Sequence, residues 1–317
     1  MNPIFHRFFA VCLLGAGAAW SSSLLAQEHG DPAQPSAPAH QGEPPPHVPA
    51  GVTAVRDIEF AKAGPVSLMM DLYIPAQATQ PLPLVVFIYG GGWMNGSKNN
   101  CPPTTINVVT RGYVLACIEY RHSSEATFPG QIEDCKAAIR FLRANAGKHF
   151  IDPNRIAVWG VSSGAHLACL LGVTEGVKEL EGTLGDHLKE SSRVQAVVDC
   201  CGPADLQLFL ASASPAKWSA QLLLGGGGGV TDAVRQLGVK ASPVTYAGKN
   251  APPFLIVHGD KDAIVPMDQS ESMYKALHDA GASDVTLHVA KGLGHQPPVG
   301  ESVDVIYGFL DKRLKEN

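Results

Sequence analysis

The chain carries little charge: Asp, Glu, Lys and Arg together make up 17% of its 317 residues, and the formal net charge is only -5. Its Lys and Arg residues are scattered, so there is no basic face of the kind that binds nucleic acid. No apolar run reaches the roughly 20 residues that span a bilayer, and stable membrane association is not expected. Five consecutive glycines, 225–229, are followed by no Lys-Ser or Lys-Thr and preceded by no strand, which excludes a phosphate loop and leaves a flexible loop. Cysteine is present but sparse, with 7 in all. Cys12 lies inside the N-terminal apolar segment rather than at a lipid-anchor boundary. The other six invite pairing by their even count, yet Cys117, Cys135 and Cys169 fall inside strand or helix cores, where the thiol acts as a small hydrophobe. At most one bridge is expected, with Cys200-Cys201 as a vicinal candidate.

What the chain does have is 45% apolar residues, enough for a large core. Residues 1–26 read as a secretory signal, with His6 and Arg7 ahead of an apolar stretch over 8–20 and a cleavage site after Ala26, although Leu24 departs from the small-residue preference. That predicts a secreted or periplasmic protein. Residues 27–50, rich in Pro and Ala, read as a disordered linker, and 51–317 as one folded domain. Runs at 55–60 and 66–73 around Gly64-Pro65 predict an antiparallel hairpin. The runs at 84–88, 113–118, 156–159, 194–198, 254–257 and 285–289 lack strict alternation, as strands covered on both faces do. Helical spacing over 131–145 and the alternation of strands with helices predict an α/β fold with a mostly parallel, doubly wound sheet. Segments 172–192 and 205–239 break the rhythm and read as insertions, either of which could form a lid.

Between the run 156–159 and a helical stretch lies Gly160-Val161-Ser162-Ser163-Gly164, the strand-turn-helix pentapeptide of a nucleophile elbow. Serine is a weak nucleophile at neutral pH and needs a base and an orienting acid. His295, on the glycine-flexed loop Gly292-Leu293-Gly294, is the candidate base. Asp260 and Asp262, after the run 254–257, are the candidate acids, and spacing alone does not separate them. His258 reads as buried structure at a strand end, and His166 as support for the elbow. A carbonyl attacked by serine becomes an oxyanion that needs donors already in place. The backbone amides of Gly91, Gly92 and Ser163 are assigned to that role, since Tyr89-Gly90-Gly91-Gly92-Trp93 follows a strand end and glycine lets an amide approach closely.

With these residues in place the chain resembles the α/β-hydrolase superfamily, and within it the bifunctional feruloyl and acetylxylan esterase-like group (BD-FAE-like), from about Val55 to the C-terminus. The resemblance rests on Gly90-Gly91-Gly92-Trp93, Glu119-Tyr120-Arg121, Ile151-Asp152-Pro153, residues 159–168, Gly202-Pro203-Ala204-Asp205-Leu206, Ala241-Ser242-Pro243-Val244 and residues 258–266. It implies Asp262 as the acid and His295 as the base, in the order Ser162, Asp262, His295 proper to that fold. The chain departs from the group at Tyr89, where histidine is usual, at Ser163 and Ala165, and at Cys200-Cys201, which stand where bulky aromatics tend to lie near the pocket. Trp93, Cys200 and Cys201 are accordingly expected at the substrate site. The resemblance implies a serine esterase with no metal or organic cofactor, acting on small-molecule or polysaccharide-linked esters. Rival readings are a peptidase similar to the prolyl oligopeptidase catalytic domain, disfavoured by the lack of room for a propeller, and a catalytically silent binding module.

Overall fold

A computed structural model describes residues 44–316; the expected signal segment and most of the expected linker lie outside them. One eight-stranded sheet organises the chain, from β1 (Val52–Ala63), β2 (Val66–Pro75), β3 (Leu82–Ile88) and β4 (Val114–Ile118) to β5 (Ile151–Val161), β6 (Ala196–Cys200), β7 (Phe254–Gly259) and β8 (Val285–Ala290), in the order β1-β2-β4-β3-β5-β6-β7-β8. β1 pairs antiparallel with β2 and β2 with β4, and all other neighbours are parallel. Position in the sheet explains the apolar patterning. Residues of β4 and β6 are all buried because helices cover both faces, while β1 at one free edge alternates half-buried with exposed and β8 at the other is half-buried or exposed up to its last residue.

The periodic stretch at 131–145 forms the helix Gly130–Ala144, with Ile132, Cys135, Ile139 and Leu142 buried against the sheet. The two irregular segments have different destinations. Segment 172–192 folds over that helix and is held by Glu181, which accepts hydrogen bonds from Lys136 Nζ at 2.6 Å and Ser192 Oγ at 2.9 Å. Segment 205–239 forms the short helices Leu206–Ala211 and Lys217–Leu223 and begins a third, Asp232–Ala241, beside the C-terminal ends of the strands. The six cysteines of the described residues are all free and buried, so the candidate Cys200-Cys201 bridge is not formed. No helix among the described residues is long and apolar enough to cross a membrane.

Candidate active site

At the C-terminal end of β5 the chain turns at Ser162 with φ 56 and ψ -124 and enters the helix Ser163–Val173 at once. A non-glycine residue holds this backbone only where its surroundings enforce it. Here the Ser162 amide donates to the Cys200 carbonyl at 2.8 Å, and the flanking glycines admit the approach. A Cβ on Gly160 would lie 2.2 Å from the Gly164 carbonyl oxygen, and one on Gly164 would lie 2.1 Å from that of Ile88.

The Ser162 hydroxyl meets His295 Nε2 at 2.9 Å, and His295 Nδ1 meets Asp262 Oδ2 at 2.7 Å. The Asp262 side chain is wholly buried, and its Oδ1 accepts the amides of Ile264 at 2.8 Å and Val265 at 2.9 Å. Burial alone would raise this carboxyl, but hydrogen bonds from His258, His295 and the Val265 amide outweigh it and hold the group well below the usual carboxylate range. Asp260 is exposed and its Oδ1 accepts the Gly292 amide at 2.6 Å, so it tethers the loop that carries His295. Of the two carboxylates that spacing leaves open, the structure brings Asp262 to the imidazole.

Gly91, Gly92 and Ser163 border the same cleft, and their amides carry no hydrogen bond to another described residue. Ser163 adds the open N-terminus of its helix, which favours negative charge. Two braces hold these amides in place. Trp93, itself at φ 58, donates its indole N–H to His166 Nδ1 at 3.1 Å, and His166 Nε2 donates to the Ala241 carbonyl at 2.7 Å. Burial draws the His166 ring down to about 4, which keeps it neutral and fits the tautomer those two partners require. Tyr120 stacks on Tyr89 at 4.5 Å, donates its hydroxyl to the Tyr89 carbonyl at 3.2 Å and lies 3.4 Å from Ser163 Oγ, tying the glycine loop to the elbow.

The cleft has a volume of about 480 Å³. Phe87, Pro203, Phe209, Ala216, Ile264 and Val265 give it an apolar wall, Asn100, Ser219 and Gln296 add polar points, and no Lys, Arg, Asp or Glu lines it. Phe209, Ala216 and Ser219 come from segment 205–239, which therefore walls the cleft, and segment 172–192 does not reach it. These residues escape a reading based on chemistry-bearing motifs; the break in the strand-helix rhythm at the strand ends is the signal that points to them.

Trp93 borders the cleft as expected, although it is only 1% exposed. Cys200 and Cys201 do not line it. They are 1% and 3% exposed and face a separate gap of about 10 Å³ with Val257 and Leu293. The end of β6 is indeed at the ligand-binding edge of the sheet, but Cys201, at φ 52, turns its side chain under Asp262 and His295. Cys201, Asp262 and His295 each place one possible metal-ligand atom within 4.8 Å of the others. The carboxylate is already engaged by two amides and the imidazole, so the cluster is built as a hydrogen-bonded unit.

Comparison with known proteins finds esterases of the same fold. The BD-FAE family model matches residues 70–277. Esterase LipC of Mycobacterium tuberculosis is 32% identical over 218 residues, which is 68% of this chain and 53% of LipC; the chain spans about half the length of the curated relatives it matches. Among solved structures, a truncated carbohydrate esterase from gut microbiota is 31% identical with a TM-score of 0.76, covering 83% of this chain and 97% of that one. A bifunctional GH43-CE protein of Bacteroides eggerthii is 32% identical with a TM-score of 0.74, covering 82% of this chain and 35% of that one.

Proposed function

We propose that this chain, which belongs to the BD-FAE family and has the α/β-hydrolase fold, is a serine esterase that hydrolyses carboxylic esters through an acyl-enzyme. The observation that carries the reading is the unbroken relay from Ser162 Oγ through His295 to the buried Asp262 carboxylate, opening on a cleft with unengaged amides at its mouth.

In the proposed mechanism Ser162 Oγ attacks the ester carbonyl carbon as His295 Nε2 takes its proton. Asp262 accepts from His295 Nδ1, fixes the tautomer and stabilises the imidazolium. The carbonyl oxygen, now an oxyanion, receives the amides of Gly91, Gly92 and Ser163. Collapse of the tetrahedral intermediate breaks the bond to the alcohol oxygen, which takes the proton from His295 Nε2. Water then repeats the sequence on the acyl-serine and regenerates the hydroxyl.

A lining without charged side chains suits a neutral ester, and its apolar wall suits an uncharged acyl chain or ring. The likeness to a carbohydrate esterase supports alcohol partners on a polysaccharide, so acetyl or feruloyl esters of plant polysaccharide head the substrate list, followed by other small esters. The N-terminal segment of the sequence supports action outside the cytoplasm.

Turnover of p-nitrophenyl acetate, p-nitrophenyl butyrate, methyl ferulate and acetylated xylan tests the substrate range. Ser162→Ala is expected to lower kcat on the order of a million-fold with the fold intact. Retained hydrolysis in a clean Ser162→Ala preparation overturns the reading.

A further inference from the structure

His258 lies on β7, four residues before Asp262, and the proposed mechanism gives it no part. Its Nε2 is 2.9 Å from the carbonyl oxygen of Val265, which can only accept, so Nε2 carries a hydrogen in every protonation state of the ring. The same Nε2 lies 3.3 Å from Asp262 Oδ2, the oxygen that also receives His295 Nδ1 at 2.7 Å. On the opposite side of the ring Nδ1 meets Ser270 Oγ at 2.6 Å, and His258 and Ser270 are both shut off from solvent. The ring is therefore clamped from both sides, with its one Nε2 hydrogen held by the Val265 carbonyl and the carboxylate lying close beside it.

We infer that His258 is a positioning residue, which shares the Asp262 carboxylate with His295 and so sets how strongly that carboxylate holds the imidazolium. This rests on the reading of Ser162, His295 and Asp262 as the site of acyl transfer. With Oδ1 taken by two amides, Oδ2 by His295 and the His258 N–H shared between that oxygen and the Val265 carbonyl, the carboxylate cannot turn away from His295. The second imidazole also draws on the charge that would otherwise act on His295 alone. Removing that donor leaves a more basic carboxylate, which strengthens the pull on the protonated form of His295 and raises the pH at which His295 becomes a base. The other ionisable groups that bear on the pair are Asp199 and Cys201 from the β6 side and Asp260, tethered to the His295 loop. They are identical in every variant, so differences between variants isolate His258.

The test compares His258→Asn with His258→Gln in the full chain. Asn keeps an amide near the Nδ1 position, within reach of Ser270, but stops short of Asp262. Gln carries its amide to the Nε2 position. The His295 ring is titrated by NMR, assigned by its loss in His295→Ala, alongside the acid limb of the kcat/KM profile on p-nitrophenyl acetate. Expected is an upward move of both by about one pH unit in His258→Asn, a tenfold change in acidity, most of it restored in His258→Gln. A folded His258→Asn that titrates as the wild type, or equal shifts in the two variants, overturns the inference. Should His258→Asn not fold, Ser270→Ala, which frees the ring, is expected to shift the same titration upward, and an unmoved titration there overturns it. The ring titration needs no turnover, so failure of the esterase reading appears as absent hydrolysis and failure of this inference as an unmoved ring.

Discussion

Asp262 keeps its charge inside the protein because several donors converge on it, while Asp260, two residues away, sits in solvent and holds one amide of a loop. Losing the first should leave His295 in the wrong tautomer, and losing the second should only slacken the tether at Gly292. Asp262→Asn is therefore expected to lower kcat by roughly 10⁴, and Asp260→Asn by less than about tenfold, in steady-state kinetics on p-nitrophenyl acetate. A larger loss in Asp260→Asn would reverse the assignment. The meeting of Ser162 and His295 is legible in the sequence because a nucleophile and base of the proposed kind need particular residue types on particular glycine-flanked turns. The two aspartates share one turn, and only three-dimensional direction separates them. Tyr120 stands in a motif that carries the family resemblance, but its bracing contact is not legible for a related reason, since its partner Ser163 is 43 residues away. Cys201 misleads because strand-end position says which edge a residue occupies and nothing of the side its thiol takes.

The elbow works only because β3, β5 and the helix Ser163–Val173 approach more closely than side chains allow. Gly164→Ala would drive a Cβ into the Ile88 and Tyr89 carbonyls, at 2.1 and 2.4 Å, and backbone oxygens cannot swing aside. A loss of about 3 kcal/mol or more is expected, read as a fall in midpoint in urea unfolding. Gly147→Ala, exposed and with nothing within 4 Å, is the control and should leave the midpoint within about 0.5 kcal/mol. Every strand of the sheet is legible beforehand: burial on both faces writes the inner strands as unbroken apolar runs and the hairpin announces its turn, while the run at 285–289, read as covered on both faces, forms the half-exposed edge strand β8. The wall of the cleft is not. Its helices Leu206–Ala211 and Lys217–Leu223 have 6 and 7 residues, too few turns to impress a period on the sequence.

Across the whole molecule, stability against pH is shaped by buried carboxyls that take no part in the proposed relay. Burial lifts Glu119 to about 7 despite the Lys98 charge and the Met69 amide, and Asp57 and Asp71 nearby add to the rise. Burial likewise lifts Asp199 to about 6. A carboxyl raised in the folded state favours folding fully below its unfolded value and loses that contribution as pH rises through the folded one. These two groups should therefore make the protein less stable from about pH 5 to pH 8, where Asp262, shifted the other way, already contributes in full. Glu119→Gln is expected to flatten that decline and raise the unfolding temperature at pH 8 by several degrees, about 2 to 3 kcal/mol, in thermal scans across the range. An unchanged slope would place the decline elsewhere. The hydrogen bond between Ser162 and His295 joins residues 133 apart in the chain, and the base follows β8, the last strand. A ribosome making this chain releases the proposed nucleophile long before its proposed base exists. On the proposed mechanism Ser162 stays an ordinary alcohol throughout synthesis, and its reactivity would arrive in one late event, when the loop after the final strand delivers the imidazole.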